Sequence, residues 1–193
     1  SIGDRGDRHQ SQNPRSHAGS IIKINKHDGS LPNGSNFQNN RLPELFTKGH
    51  RNPQGMAINL ENGDIWVNEH GPKGGDEINI LRKGKNYGWP IVTHGREYFG
   101  GKVGNGIKTL KGFEDPIWYW VPSIAPSGMA FYNKDMFPEF KGHLLVSSLK
   151  FKSIYLVKLN SGLPYSEKVF FKNKFGRIRD IEVLKDGSIL IIN

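Results

Sequence analysis

Short apolar segments alternate with glycine-containing turns along most of this chain. Three pairs of such segments follow the same order of extended segment, turn and second extended segment: 54–58 with 65–67, 127–132 with 144–146, and 178–183 with 189–192. Further apolar segments at 21–24 and 154–157 predict separate strands. Tandem repetition of strand–turn–strand units is typical of radial all-β folds such as the β-propeller.

Helix signals are almost absent, because glycine or proline interrupts nearly every stretch that could form a helix. The 193 residues include 24 glycines and 11 prolines, and 35% are hydrophobic, which favours a loop-rich all-β domain. Residues 88–122 are predicted as a long insertion rich in glycine and aromatic residues. Since propeller blades take about 40–50 residues, we expect residues 1–193 to form one partial β-propeller of about three or four blades, with N-terminal blades missing.

The chain is basic, with a formal net charge of +9 and a pI near 9.7. Such a charge favours anionic partners: nucleic acid, a membrane surface or a small acidic ligand. The basic residues are scattered and carry no helix-turn-helix, zinc-finger or RNA-binding signature, so we expect no nucleic-acid partner. The absence of cysteine excludes thiol catalysis, disulfides and cysteine-ligated metals. The apolar run at 189–192 is too short to span a membrane.

The stretch 51–90 is dense in residues that bind ligands. Four motifs occur in it: Arg-Asn-Pro-Gln-Gly at 51–55, Glu-His-Gly-Pro at 69–72, Gly-Asp-Glu-Ile-Asn at 75–79 and Asn-Tyr-Gly-Trp-Pro at 86–90. Two short apolar strands are predicted to carry these residues on three loops. A segment that only had to fold would not need so many amides, carboxylates, bases and glycines, so we predict a ligand site on a β scaffold.

These four motifs, in this order, resemble those of the soluble glucose/sorbosone dehydrogenases, aldose sugar dehydrogenases that depend on pyrroloquinoline quinone (PQQ) and are built as six-bladed β-propellers. The resemblance continues at 127–132, 148–150 and 177–180, and the stretch 3–7 also fits. It implies the C-terminal portion of a periplasmic or secreted enzyme that oxidises aldose sugars to lactones. Hydride would pass from sugar C1 to PQQ in the presence of Ca2+, and the electrons would pass to an external acceptor.

The resemblance assigns cofactor contacts to seven residues. PQQ is a planar tricarboxylate with an ortho-quinone, which suits arginine forks, a lysine charge and amide donors. The implied set is Arg51, Asn52, Gln54, Ser123, Lys150, Arg177 and Arg179. Arg177 is also the implied catalytic residue, in contact with the oxygens of the reduced quinone.

Two of these assignments have alternatives in the sequence. Arg177 and Arg179 alternate on a predicted strand and share one side of it, which is also expected of a solvent-exposed strand face. Lys150 competes with Lys152, which projects the same way two residues later, and the family pattern Ser-Leu-Lys favours Lys150.

The resemblance also implies two calcium sites. Main-chain carbonyls of Gly71 and Pro72 would hold the ion that polarises PQQ, since glycine permits close approach and proline lacks an N–H. Glu77 and Tyr87 would hold a second, structural ion through a carboxylate and a backbone oxygen, which are ligands that suit a hard cation. The alternative is that Asp76 and Glu77 simply cap a turn.

The catalytic base of the family is a histidine in a His-x-Gly-Gly-Arg motif, which this chain lacks. His17 stands in a different context and does not match the motif. We therefore expect His50, His70 and His94 to be local hydrogen-bonding residues, and the chain alone to be inactive. The alternative function is that of a non-catalytic propeller fragment or paralogue that binds a small anionic ligand.

Overall fold

The computed structural model describes residues 1–33 and 40–193, and over these residues it confirms the prediction of an all-β fold. Helical structure within the described ranges is confined to two single-turn 3-10 helices, Arg8–Gln12 and Pro138–Phe140. The strands are β1 (Ser20–Ile22), β2 (Leu45–Lys48), β3 (Pro53–Ile58), β4 (Ile65–Glu69), β5 (Asp76–Ile80), β6 (Trp118–Trp120), β7 (Pro126–Tyr132), β8 (His143–Ser148), β9 (Ser153–Asn160), β10 (Leu163–Phe170), β11 (Asp180–Val183) and β12 (Ile189–Ile192). No helix in the described part of the chain is long and apolar enough to cross a membrane.

Two of the sheets are four-stranded antiparallel meanders. Strands β3, β4, β5 and β6 follow one another across one sheet, and β7, β8, β9 and β10 follow one another across the next. Strand β1 pairs with β2, and β11 pairs with β12, in two-stranded sheets. The three strand–turn–strand units predicted from the sequence are confirmed as β3 with β4, β7 with β8, and β11 with β12.

The first strands of successive sheets approach one another closely. The N–H of Gly128 in β7 donates to the carbonyl of Arg179, just before β11, at 3.0 Å. Between the preceding pair of sheets, Asn68 Nδ2 donates to the carbonyl of Ser127 at 2.8 Å. Gly55 and Gly128 occupy the same place in β3 and β7, and a Cβ on either would lie within 2.3 Å of an atom of the next sheet. This side-by-side order of inner strands is the one expected of neighbouring propeller blades.

Strand β8 and the first half of β9 are buried on both faces, which explains their apolar runs. Along β8, Leu144 and Val146 pack towards the β3–β6 sheet with Trp66 and Trp120. Leu145, which points to the opposite face, packs with Ile181 of β11. Because side chains alternate across a strand, a continuous apolar segment is the pattern of a strand covered on both sides.

Several strand predictions need correction. The motif at 75–79, predicted as a loop, forms most of β5, and β6 lies inside the insertion predicted at 88–122. Strands β2 and β10 have no counterpart in the sequence prediction. β10 is mostly exposed and has β9 as its partner, so pairing with β9 and not its own pattern makes it a strand. The last predicted unit begins at Asp180, two residues later than expected.

Candidate active site

A cleft of about 760 Å³ opens between the turn after β4, the hairpin at 96–102 and the segment before β7. It brings together four residues that the sequence analysis assigned to cofactor or metal: Gly71, Pro72, Ser123 and Lys150. Lys152, the competitor of Lys150, is not among the residues that line it. The walls of the cleft combine apolar residues with the cations Lys73, Arg96 and Lys150, which suit an anionic ligand.

A second groove of about 510 Å³ lies between the β7–β10 sheet and β12. Its walls are apolar and include Phe140, Phe170 and Ile191, with no ionisable side chain. A ligand with several carboxylates would lose its hydration there without gaining a cation or donor in exchange. The cleft, which has cationic side chains, is therefore the better candidate for the predicted cofactor site.

Arg51 is fixed beside the cleft by several contacts. Its Nη1 donates to the carbonyls of His70 at 3.1 Å and Gly71 at 2.9 Å. Its Nη2 donates to the hydroxyl of Tyr98 at 3.2 Å, and its guanidinium carbon lies 5.5 Å from the ring centroid of Trp89. A guanidinium held in this way loses little further side-chain entropy when it binds an anion.

Asn52 and Gln54 follow Arg51 and are linked through their side-chain amides to each other and to His70. Gln54 Nε2 donates to Asn52 Oδ1 at 3.0 Å. Asn52 Nδ2 lies 3.4 Å from Nδ1 of His70. The structure thus places both amides next to the turn that carries Gly71, although neither lines the cleft itself.

Arg177 and Arg179 have exposed side chains on either side of the fully buried Ile178. They precede β11 rather than belonging to it, which corrects the predicted strand. The main-chain N–H of Arg179 donates a hydrogen bond to the carbonyl of Ile192 at 2.6 Å. Neither guanidinium makes a hydrogen bond or ion pair with the described residues, and neither lines the cleft.

His70 is engaged at both ring nitrogens. Its Nε2 lies 2.6 Å from the carbonyl of Pro126 and donates to it, while Nδ1 faces the amide of Asn52. Burial lowers the pKa of the His70 imidazole, which keeps the ring neutral at neutral pH. This is the local hydrogen-bonding arrangement expected from the sequence.

The other two histidines differ from each other. His50 is fully buried, with Nδ1 2.8 Å from Glu69 Oε1 and Nε2 2.9 Å from Thr47 Oγ1. His94 instead stacks on Tyr119, with ring centroids 3.9 Å apart, and its ring has no hydrogen-bond partner among the described residues.

Below the cleft lies a buried acidic cluster around Glu77. Burial, followed by the nearby Glu69 carboxylate, raises the pKa of Glu77 well above its usual value. Asn79 Nδ2 lies 3.2 Å from Glu77 Oε2 and 3.4 Å from Glu69 Oε1, whereas the buried Oδ1 of Asn79 has no partner. Glu69 is also bound by His50 Nδ1 and by the N–H of Arg51, so Glu77 is the carboxylate that has only a neutral amide as its partner and whose charge a cation would compensate.

A void of about 10 Å³ adjoins this cluster, with Glu69, Glu77, Gly75 and Tyr87 among its walls. The Tyr87 hydroxyl donates to the carbonyl of Ile80 at 2.6 Å, so only its main-chain oxygen is available to a metal. No group of three His, Asp or Glu side chains in metal-binding geometry occurs among the described residues. A cation here would therefore need main-chain oxygens as well as the Glu77 carboxylate. The predicted pair of ligands, Glu77 and the main-chain oxygen of Tyr87, contains one of each.

The turn that contains Gly71 and Pro72 is very tightly folded. A Cβ on Gly71 would lie 2.2 Å from the carbonyl oxygen of Gly74 and 2.4 Å from that of Gly75. The carbonyl oxygens of Gly74 and Gly75 thus lie close to Gly71, whose own carbonyl and that of Pro72 are the predicted ligands of the first calcium ion. The Gly71 carbonyl already accepts the bond from Arg51 and keeps a second lone pair.

Asp76 has a role at the site that the sequence analysis missed. Its carboxylate is fully buried and accepts hydrogen bonds from Gly71 and from residues 123–125, on both sides of the cleft. The sequence interpretation treated it as a possible turn cap. The alternation of Ile78 and Ile80 with polar neighbours was a signal of a strand, and it would have placed Asp76 inside the fold.

Comparisons with known proteins support the family resemblance found in the sequence. The profile of the glucose / sorbosone dehydrogenase family matches residues 1–193. The chain is 37% identical over 194 residues to aldose sugar dehydrogenase YliI of Escherichia coli K12, covering 99% of this chain and 52% of that protein. The chain thus spans about half the length of the curated relatives it matches.

Solved structures resemble the chain over nearly all its length. The apo form of the soluble aldose sugar dehydrogenase from Escherichia coli matches with a TM-score of 0.92 and 37% identity, over 99% of this chain and 56% of that one. The PQQ-bound aldose sugar dehydrogenase from Streptomyces coelicolor matches with a TM-score of 0.70 and 27% identity, over 93% of this chain and 47% of that one.

Proposed function

Because the chain belongs to the glucose/sorbosone dehydrogenase family, we propose that it forms part of a PQQ- and calcium-dependent enzyme that oxidises aldose sugars to lactones. The observation that carries this proposal is the cleft where Gly71, Pro72, Ser123 and Lys150 meet beside the guanidinium of Arg51. When bound, PQQ supplies the electrophile that accepts hydride from sugar C1, with calcium polarising it. An external acceptor then takes the electrons, and the enzyme works in the periplasm or outside the cell.

The cationic residues of the chain bind and orient the cofactor in this proposal. Arg51 and Lys150 pair with its carboxylates, and Arg179 adds a fork from the start of β11. Asn52, Gln54 and Ser123 supply neutral polar contacts. Arg177, which precedes β11 and does not itself line the cleft, would donate to the quinone oxygens as they gain charge, and in that role it would be the catalytic residue of this chain.

We propose no residue of this chain as the base that accepts the proton of the sugar hydroxyl. His70 is the ionisable base nearest the metal turn, but both of its nitrogens are engaged within the protein. The family's His-x-Gly-Gly-Arg motif does not occur in the sequence. General-base loss costs about 10²–10⁴-fold in rate, so residues 1–193 alone should show no measurable turnover.

The test is reconstitution of the complete gene product with PQQ and Ca2+, followed by dye reduction with glucose and other aldoses. The isolated chain of residues 1–193 is assayed beside it under the same conditions. Turnover by the complete product alone is the expected result. PQQ binding without turnover by the complete product would instead support the non-catalytic alternative, and turnover by the isolated chain would show that a histidine within it serves as base.

The second calcium site is proposed at Glu77 and the main-chain oxygen of Tyr87, where it stabilises the fold apart from catalysis. Chelation should lower the unfolding free energy of the wild-type protein, by about 2.7 kcal/mol if free calcium was at 100 times its Kd. The Glu77→Gln variant should lose most of this response. Thermal or urea unfolding with and without chelator measures both effects.

The matched control is Glu61→Gln, which changes an exposed glutamate and should respond to chelator as the wild type does. The fold raises the pKa of Glu77. At pH values above the pKa of a glutamate in the unfolded chain, ionisation of Glu77 therefore lowers the stability of the metal-free protein. Metal-free Glu77→Gln should therefore be the more stable protein at neutral pH, and the difference should shrink on acidification. Equal chelator responses of wild type and Glu77→Gln would exclude this site.

A further inference from the structure

The carboxylate of Asp76 joins two loops that border the cleft and are about fifty residues apart in sequence. The side chain is 0% exposed. Its Oδ1 accepts a hydrogen bond from the N–H of Gly71 at 2.9 Å. Its Oδ2 accepts bonds from the hydroxyl of Ser123 at 2.7 Å and from the N–H groups of Ile124 at 2.8 Å and Ala125 at 2.9 Å.

Four donors at these distances satisfy a buried carboxylate without a cation partner. Neighbouring bonds also cross between the loops: Gly75 N–H donates to the Trp120 carbonyl at 2.7 Å, and His70 donates to the Pro126 carbonyl. Asp76 differs from these because its partners include Gly71 and Ser123, which are themselves proposed ligand contacts. A displacement of either loop therefore stretches a charge-assisted bond to the other.

We infer that Asp76 is a positioning residue that couples the calcium turn at Gly71 and Pro72 to the Ser123–Ala125 side of the cofactor cleft. This inference rests on the proposed function. With the turn ordered by calcium, Asp76 holds the opposite wall in the geometry that receives the quinone. The cost of ordering that wall is then met before the cofactor arrives, which is how preorganisation raises affinity.

The test uses Asp76→Asn in the complete gene product without PQQ. Asparagine keeps the volume of the side chain but replaces one accepting oxygen by an NH2 group. In either orientation of the amide, this NH2 group faces a backbone N–H that needs an acceptor. With Oδ1 kept towards Ile124 and Ala125, the bond to Gly71 is lost and the turn is released. Calcium titration should show at least a tenfold rise in Kd at the turn site. Introducing the substitution into a Glu77→Gln background restricts the titration to that site.

The matched control is Asp135→Asn, which alters an exposed aspartate paired with Lys141 and should leave the calcium Kd unchanged. Hydrogen exchange gives a second readout that separates coupling from general loss of stability. In the wild type, calcium should slow exchange at Gly71 and also at Ile124 and Ala125. In Asp76→Asn, the effect should stop at the turn, with exchange in β8 unchanged.

Two results would overturn this inference alone: folded Asp76→Asn that binds calcium with the wild-type Kd, or wild-type protein in which calcium protects the Gly71 turn but not Ile124 and Ala125. The second result needs no variant and decides the matter even if Asp76→Asn does not fold. A wild-type protein that binds neither calcium nor PQQ would be a different outcome, since it would overturn the proposed function itself.

Discussion

Replacing Arg177 by alanine in the complete gene product should lower kcat by about 10²–10³-fold, because this guanidinium is proposed to face the oxygens that gain negative charge during hydride transfer. Its neighbour Arg179 should behave differently. Arg179→Ala should mainly weaken PQQ binding, by about 1.5–3 kcal/mol for the loss of one charge-assisted bond to a carboxylate. Steady-state turnover at saturating PQQ measures the first effect, and absorbance titration of the apo-protein with PQQ measures the second.

The separation of the two effects is informative because both side chains are exposed and flank the same buried residue, Ile178. Lys152→Ala serves as control, since Lys152 is an exposed cation to which the proposal gives no contact with the cofactor. It should change neither kcat nor PQQ affinity. Unchanged kcat and unchanged affinity in both arginine variants would return these residues to the alternative reading of a solvent-exposed face.

Replacing Gly128 by alanine should destabilise the fold by about 1–3 kcal/mol, the usual cost of overpacking a tight interior. The added Cβ would lie 2.1 Å from Asp180 Oδ1 and 2.7 Å from both the Asp180 Cα and the Ile181 nitrogen. Backbone atoms of β11 cannot turn aside as a flexible side chain can. The two sheets would have to separate, and the bond from Gly128 N–H to the Arg179 carbonyl would lengthen.

Urea unfolding of the complete gene product measures this loss as a lower midpoint. The control is Gly3→Ala, whose Cβ would meet the side-chain oxygen of Asn52 at 3.1 Å and the carbonyl oxygen of Arg51 at 3.3 Å, so the added methyl group is far less crowded than on Gly128. An unchanged midpoint for Gly128→Ala would show that the inner strands are less tightly packed than described. In that case the side-by-side order of the sheets would need another explanation.

The strands that begin each sheet could be predicted from sequence because their signal is local. The segments at 54–58 and 127–132 combine a glycine with apolar residues, and the strands that follow are apolar on both faces. Outer strands and polar strands could not be predicted in this way, because they lack a local apolar pattern. β10 becomes a strand by pairing with β9, and β5 buries acidic residues whose partners lie elsewhere in the chain.

For the candidate site, too, some features follow from the sequence and others only from the tertiary structure. The sequence by itself determined the family, the all-β class and the loops that supply glycines, amides and cations, because residue types in a fixed order are enough for those conclusions. Only the tertiary structure decided that Lys150 lines the cleft while Lys152 does not, and that His70 is fully engaged. It alone revealed that Asp76 holds both walls of the cleft, since its four donors come from two distant loops that folding brings to one carboxylate.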